Sequence, residues 1–327
     1  MSISSSRLLS GIDPALLESL NAGLEQVEAR LHEVVKSAHP MLSEAATHLV
    51  DAGGQRFRPM LVLLAAHASG GINDDVIDAA VVVELTHVAT LYHDDVMDEA
   101  SLRRGAETAN TRWTNSVAIL TGDYLFARAS DLTAGLGTEA THLQSRTFAR
   151  LVEGQIAETA GPAEGQDPIE HHLQVLADKT GSLIATSARL GALMSGADRA
   201  TVETLAEYGE TIGVAFQLSD DLIDVLQETA DSGKTPGTDL REGIATLPVL
   251  LAHDDAALMA VLGGDLSSDE ALADALTALR AHPAMDLART RMTDYVDRAR
   301  TIVATLPEGA PRDALVSLAD YVLLRTG

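Results

Sequence analysis

Two short clusters of aspartates carry most of the chemistry available to this sequence. His93-Asp94-Asp95-Val96-Met97-Asp98 and Ser219-Asp220-Asp221-Leu222-Ile223-Asp224 are near repeats, 126 residues apart. On an α-helix, at about 100° per residue, Asp94 and Asp98 fall about 40° apart and one turn from each other, with Asp95 about 100° round from Asp94. Carboxylates gathered on one face repel, and the arrangement is costly unless a cation neutralises it. Oxygen-only donors suit a hard cation such as Mg²⁺, which is commonly shared with substrate phosphates. Leu85, Val88, Leu91, Val96 and Met97 surround the first cluster, so this is not an ordinary solvated face. A single cluster reads equally well as an exposed acidic helix end. Two copies, both on apolar helices, weigh against that, and their separation predicts two helices facing one another across one cavity.

Cations are scarce, 23 Lys and Arg against 48 Asp and Glu, so their clustering is informative. Arg56 and Arg58 follow Gly53-Gly54, and Arg103 and Arg104 follow the first aspartate cluster and end at Gly105. Arginine binds phosphate oxygens through a planar fork. Paired arginines beside paired carboxylates suggest one diphosphate held through metal and a second held by direct cations. His87 stands seven residues before Asp94, two turns away on the same face; the plainer reading is a satisfied core histidine. Lys179 opens an otherwise apolar stretch and needs an anionic partner. Lys234 lies between Gly233 and Thr235, followed by Asp239 and Arg241; such a loop can close over phosphate, or be an ordinary surface turn.

The elements that must position these groups read as helices. Ala, Leu, Glu and Arg dominate, all strong helix formers. Apolar residues recur at three- and four-residue spacing, as in Leu173, Leu176, Thr180, Leu183, Ile184 and Leu190. Punctuation falls at Gly53-Gly54, Gly70-Gly71, Gly161-Pro162, Ser195-Gly196, Gly263-Gly264 and His282-Pro283. Ser268 before Asp269 and Glu270 predicts a helix start. The expectation is all-α: one domain over 1–327, a bundle of ten or more helices around a central cavity, with a mobile loop over 231–243. The chain is 46% hydrophobic, enough for a sizeable core. It has no cysteine, which removes disulfides and thiolate metal sites and fits a cytoplasmic location. Met1 to Leu16 has no signal-peptide core. No apolar run approaches the ~18 residues of a membrane span, so no transmembrane segment is expected. A net charge of −25 repels nucleic acid and anionic lipid, and leaves at most weak membrane contact for product release.

In chain order, these motifs resemble the trans-isoprenyl diphosphate synthase (polyprenyl synthetase) family. The set runs through Gly53-Gly54-Gln55-Arg56-Phe57-Arg58-Pro59, the first Asp-Asp-x-x-Asp with Arg103-Arg104-Gly105, Lys179-Thr180, Phe216-Gln217, the second Asp-Asp-x-x-Asp and the Gly-Lys loop. The resemblance implies that Asp94, Asp95, Asp98, Asp220, Asp221 and Asp224 hold three Mg²⁺ ions around an allylic diphosphate. Arg103, Lys179 and Lys234 would bind that diphosphate, while Gln55, Arg56, His87 and Arg104 would bind isopentenyl diphosphate. Thr180 and Gln217 would set dipoles near the allylic cation. Two departures stand out: Gln55 and Ile244 occupy positions where the family commonly has lysine.

Ala89 and Thr90, five and four residues before Asp94, are small where bulky family residues stop chain growth. Aromatics are only 3% of the chain, so a plug elsewhere is less expected too. The resemblance therefore implies a long product of roughly thirty to fifty carbons, because a packed interior stops a chain only where bulk blocks it. A geranylgeranyl or farnesyl product is the alternative. A class I terpene cyclase lacks the isopentenyl site, and a regulatory synthase subunit would have lost carboxylates, whereas all six stand here. A homodimer is the expected assembly.

Overall fold

The structure is a computed structural model that describes residues 12–227 and 236–325. The described residues are all-α, as expected, with helices well over ten in number. The one departure is a two-stranded hairpin, Leu102–Arg103 against Ala106–Glu107. Arg104 and Gly105 form its two-residue turn, both at positive φ (54° and 78°), the combination that matches strand twist in such hairpins.

The described chain divides into two compact units, which are described separately. The first lies within Met1–Ala149, Leu183–Gly209 and Val303–Ser317. Its centre is the helix Asp74–Met97. Asn73 caps it, its side chain accepting from the Val76 N–H at 2.9 Å, and Asp74 and Asp75 complement the positive end of the helix dipole. By length and composition alone this helix could cross a membrane. Fourteen of its 24 residues are buried against the protein itself, which identifies it as a core helix. It packs on the helices Pro14–Val34, Phe57–His67 and Asn115–Gly135. Tyr92 is fully buried; its hydroxyl donates to the Ala45 carbonyl and accepts from the Leu49 N–H.

The second unit lies within Arg150–Ser182, Glu210–Ile302 and Leu318–Gly327. Leu218, Leu222 and Val225 are buried on one side of the helix that carries the second aspartate cluster. That helix ends at Leu226, where the Arg280 guanidinium donates to the carbonyls of Val225 and Gln227, both at 2.6 Å. A cation on free terminal carbonyls satisfies them and suits the negative helix end. Ser268 caps Asp269–Arg280, accepting from the Ala271 N–H, as its position predicts. Of the loop expected over 231–243, Thr238–Arg241 is instead a helical turn, and 231–235 lie outside the described residues.

Candidate active site

The first unit brings Asp95, His87 and four arginines into one neighbourhood. Asp95 sits on the last turn of the core helix with its side chain 0% exposed. Its Oδ1 accepts from Arg103 Nε at 2.7 Å, and its Oδ2 is buried without a hydrogen-bond partner. Burial pushes the Asp95 carboxyl above the ordinary carboxylate range, while Arg103 pulls it back. Asp94 is half-buried and Asp98, which ends the helix, is exposed. The three carboxylates therefore differ in exposure.

Arg56 and Arg104 both adopt positive φ (49° and 54°). Every nitrogen of the Arg56 fork is committed. Nη1 donates to Glu84 at 2.9 Å, Nη2 to Glu28 at 3.1 Å and to the Val50 carbonyl at 3.0 Å, and Nε to Glu28. Arg104 donates to the carbonyls of Gly53 and Leu49. Gly54 makes room for this: a Cβ there would stand 2.8 Å from the Arg104 guanidinium carbon. Arg58, two residues on, has its Nε in the interior with no hydrogen-bond partner. Burial, opposed by Glu84 and aided by Arg104, pushes its guanidinium down to about 10. His87 lies in the field of Arg58, Arg104, Arg103 and Arg56; burial first, then these cations, hold its imidazole well below its usual range and so neutral. This neighbourhood is strongly cationic and suits a polyanion. Gln55 is exposed in the loop before Phe57. Ala89 is fully buried on the core helix, and the half-buried Thr90 donates its hydroxyl to the His87 carbonyl at 2.8 Å.

The second unit holds Asp220, Asp221 and Asp224 on the helix Arg199–Leu226, each with a partner. Asp220 accepts from Arg325, whose guanidinium also stacks over Phe216, 4.1 Å from the ring centroid. Asp221 lies 3.1 Å from His172 Nε2. Asp224 accepts from the Thr238 and Asp239 N–H groups, both at 3.2 Å, and so caps the turn that follows. Thr180 Oγ1 donates to Gln217 Oε1 at 3.2 Å, which joins these two predicted residues. Lys179 has the anionic partner that the sequence demanded, Glu158. Lys234 lies outside the described residues. Ile244 is 40% exposed.

Among the described residues no three carboxylates or imidazoles converge at metal-ligating spacing. The donor chemistry nonetheless fits a hard divalent cation: six carboxylates and no thiolate. The orphaned, buried Oδ2 of Asp95 is an acceptor that such a cation would satisfy. Sequence reasoning missed His172 and Glu158, whose partners are 49 and 21 residues away, too far for local spacing to signal.

An all-helical fold carrying twin Asp-Asp-x-x-Asp clusters, one of them beside a cluster of buried arginines, is that of the isoprenyl diphosphate synthases. The family model described as polyprenyl synthetase matches residues 39–279. The chain is 46% identical over 323 residues to the nonaprenyl diphosphate synthase of Mycobacterium tuberculosis, covering 96% of each chain. Its fold superposes with a TM-score of 0.87 on a geranylgeranyl pyrophosphate synthase from Corynebacterium glutamicum complexed with calcium and isoprenyl diphosphate, at 44% identity, covering 96% of this chain and 98% of that one. A decaprenyl diphosphate synthase from Rhodobacter capsulatus gives the same TM-score of 0.87 at 35% identity, covering 96% and 99%. The chain belongs to the polyprenyl synthetase family.

Proposed function

We propose that this protein condenses isopentenyl diphosphate with an allylic diphosphate, repeatedly, to give a long all-trans polyprenyl diphosphate. The observation that carries the reading is the buried Asp95, with one oxygen unsatisfied, beside the cationic cluster of Arg103, Arg104 and Arg58 around the neutral His87.

Asp94, Asp95, Asp98, Asp220, Asp221 and Asp224 would hold the divalent cations, Mg²⁺ in the cell. When bound, these draw negative charge onto the leaving diphosphate and ease ionisation of the allylic C–O bond. Arg103, Lys179 and Lys234 bind the allylic diphosphate. Arg104, Arg58 and His87 bind isopentenyl diphosphate, with Gln55 as a neutral donor at the loop. Arg56 serves the same substrate indirectly: its fork is filled by Glu28 and Glu84, so it anchors the loop that carries Arg58. His87, neutral in the free protein, takes up a proton more readily once a diphosphate offsets the surrounding arginines. The hydroxyl of Thr180 and the amide of Gln217 turn dipoles toward the allylic cation. The isopentenyl double bond forms the new C–C bond to that cation, and the released diphosphate accepts the proton lost from the adduct. Val81, Val82, Leu85 and Val88, all buried, keep water from quenching the cation.

A long product is supported by the nonaprenyl relative and by the small Ala89 and Thr90 before Asp94. A second reading, a geranylgeranyl product, is favoured by the Corynebacterium relative, nearly as similar at 44%. A homodimer is supported by Ile119 and Leu120, exposed by 43% and 62% on one helix. Light scattering that finds only an active monomer of 34.4 kDa would remove the dimer. Incubating the pure protein with labelled isopentenyl diphosphate, Mg²⁺ and a panel of allylic primers tests the activity. Chromatography of the dephosphorylated products then decides between chain lengths.

A further inference from the structure

Between the helices Pro168–Leu176 and Ser182–Met194 the chain widens. Residues Ala177–Gly181 form a π turn, with the Ser182 N–H reaching back five residues to the Ala177 carbonyl. One residue too many per turn is locally unfavourable, and such turns persist where the surroundings over-determine them, often at functional sites. Here the surroundings can be named. Arg150 Nε donates to Asp178 Oδ1 at 2.7 Å, and its Nη2 donates to Glu210 Oε1 at 2.9 Å. Gln174 holds the other Asp178 oxygen at 2.7 Å, and the Ser182 hydroxyl donates to the Asp178 carbonyl at 2.6 Å. Gly154, one helical turn after Arg150, lets that helix press on the turn: a Cβ there would lie 2.9 Å from Lys179 N and 3.0 Å from Asp178 Cβ. Arg150 and Gly154 thus form one face, and the π turn sits on it.

The two residues after Asp178 are Lys179 and Thr180. We propose that Arg150 is a positioning residue for prenyl transfer: by clamping Asp178 and Glu210 it fixes the π turn that presents Lys179 and Thr180 to the allylic diphosphate. The inference rests on the roles given above to those two residues. Arg150 acts through the backbone of Asp178, and its planar fork joins two carboxylates on different helices, which an ammonium cannot reproduce in full. The expected effect is selective: displacement of the turn should disturb the allylic substrate and leave the isopentenyl site untouched.

The test is steady-state kinetics of the full-length chain, with farnesyl diphosphate as primer, for Arg150→Gln, Arg150→Lys and Gly154→Ala. Arg150→Gln should raise the KM for primer and lower kcat, each about tenfold, because sub-ångström misplacement of a binding group costs on that scale. The KM for isopentenyl diphosphate should stay within about twofold. Arg150→Lys should recover part of kcat. Gly154→Ala should show the same split with Arg150 intact, and it carries the test if Arg150→Gln fails to fold. Losses that merely track the folded fraction seen by circular dichroism, with both KM values unchanged, overturn the inference. So does an equal rise in both KM values. A wild-type chain without prenyl transfer overturns the underlying assignment, and this inference with it.

Discussion

Replacing Arg56 should damage the fold more than the chemistry. Glu84 is 2% exposed and Arg56 9%, 2.9 Å apart. In Arg56→Met the methylene stem survives but Glu84 keeps a buried charge without its nearest partner. Breaking one side of a buried pair costs about 3–5 kcal/mol. For a chain of this size that corresponds to a fall in Tm of roughly 5–10 °C. In Arg56→Met/Glu84→Leu neither charge remains, so the loss should be about 2 kcal/mol smaller than the sum of the two single losses. Thermal melts of the four proteins give this cycle directly. The folded Arg56→Met enzyme should keep its KM for isopentenyl diphosphate within about threefold. A Tm drop below about 2 °C, or strict additivity in the cycle, would refute Arg56 as the anchor of the loop and restore it as a free phosphate ligand.

Arg104→Ala should raise the KM for isopentenyl diphosphate more than that for the primer; equal effects in a two-substrate kinetic matrix would count against the assignment. His87 bears on stability against pH. Its folded pKa is depressed, so below about pH 6.5 the unfolded chain binds a proton that the folded chain refuses, and stability falls as pH drops through that window. His87→Gln should flatten the pH dependence of Tm between about pH 6.5 and 5, and an unchanged slope would mean the imidazole is not held neutral. Ala89→Phe should shorten the main product to about fifteen or twenty carbons while sparing the first condensation, because overlap in a packed interior is not relieved cheaply. Identical product lengths by thin-layer chromatography would show that Ala89 does not line the path of the chain.

The helical class and several helix starts were legible because they follow from local periods and caps, as at Ser268. The aspartate clusters were legible for the same reason, each being a contiguous motif. What spacing could not show is what each charge meets. Arg56 finds Glu28 and Glu84, each 28 residues away, so an arginine that reads as a phosphate ligand turns out to be neutralised within the fold. Asp95 and Asp98 belong to one motif, yet one is sealed in the interior and the other is exposed, because the helix ends between them. The π turn at Lys179 is equally silent. The apolar spacing from Leu176 to Leu183 suits an ordinary helix, while Arg150 and Gly154, which pack against the turn, lie far back in the chain.

The central claim is that the two aspartate clusters act together, with divalent metal, in prenyl transfer. Its most direct test is product formation from labelled isopentenyl diphosphate and farnesyl diphosphate by the wild-type chain, Asp94→Ala and Asp220→Ala, with Mg²⁺ and with excess chelator. The wild type should make polyprenyl diphosphate longer than twenty carbons only with metal. Each substitution should lower the rate by about 10²- to 10⁴-fold, equivalent to about 3–5 kcal/mol of barrier. Near-full turnover by either variant, or in chelator, would contradict the account.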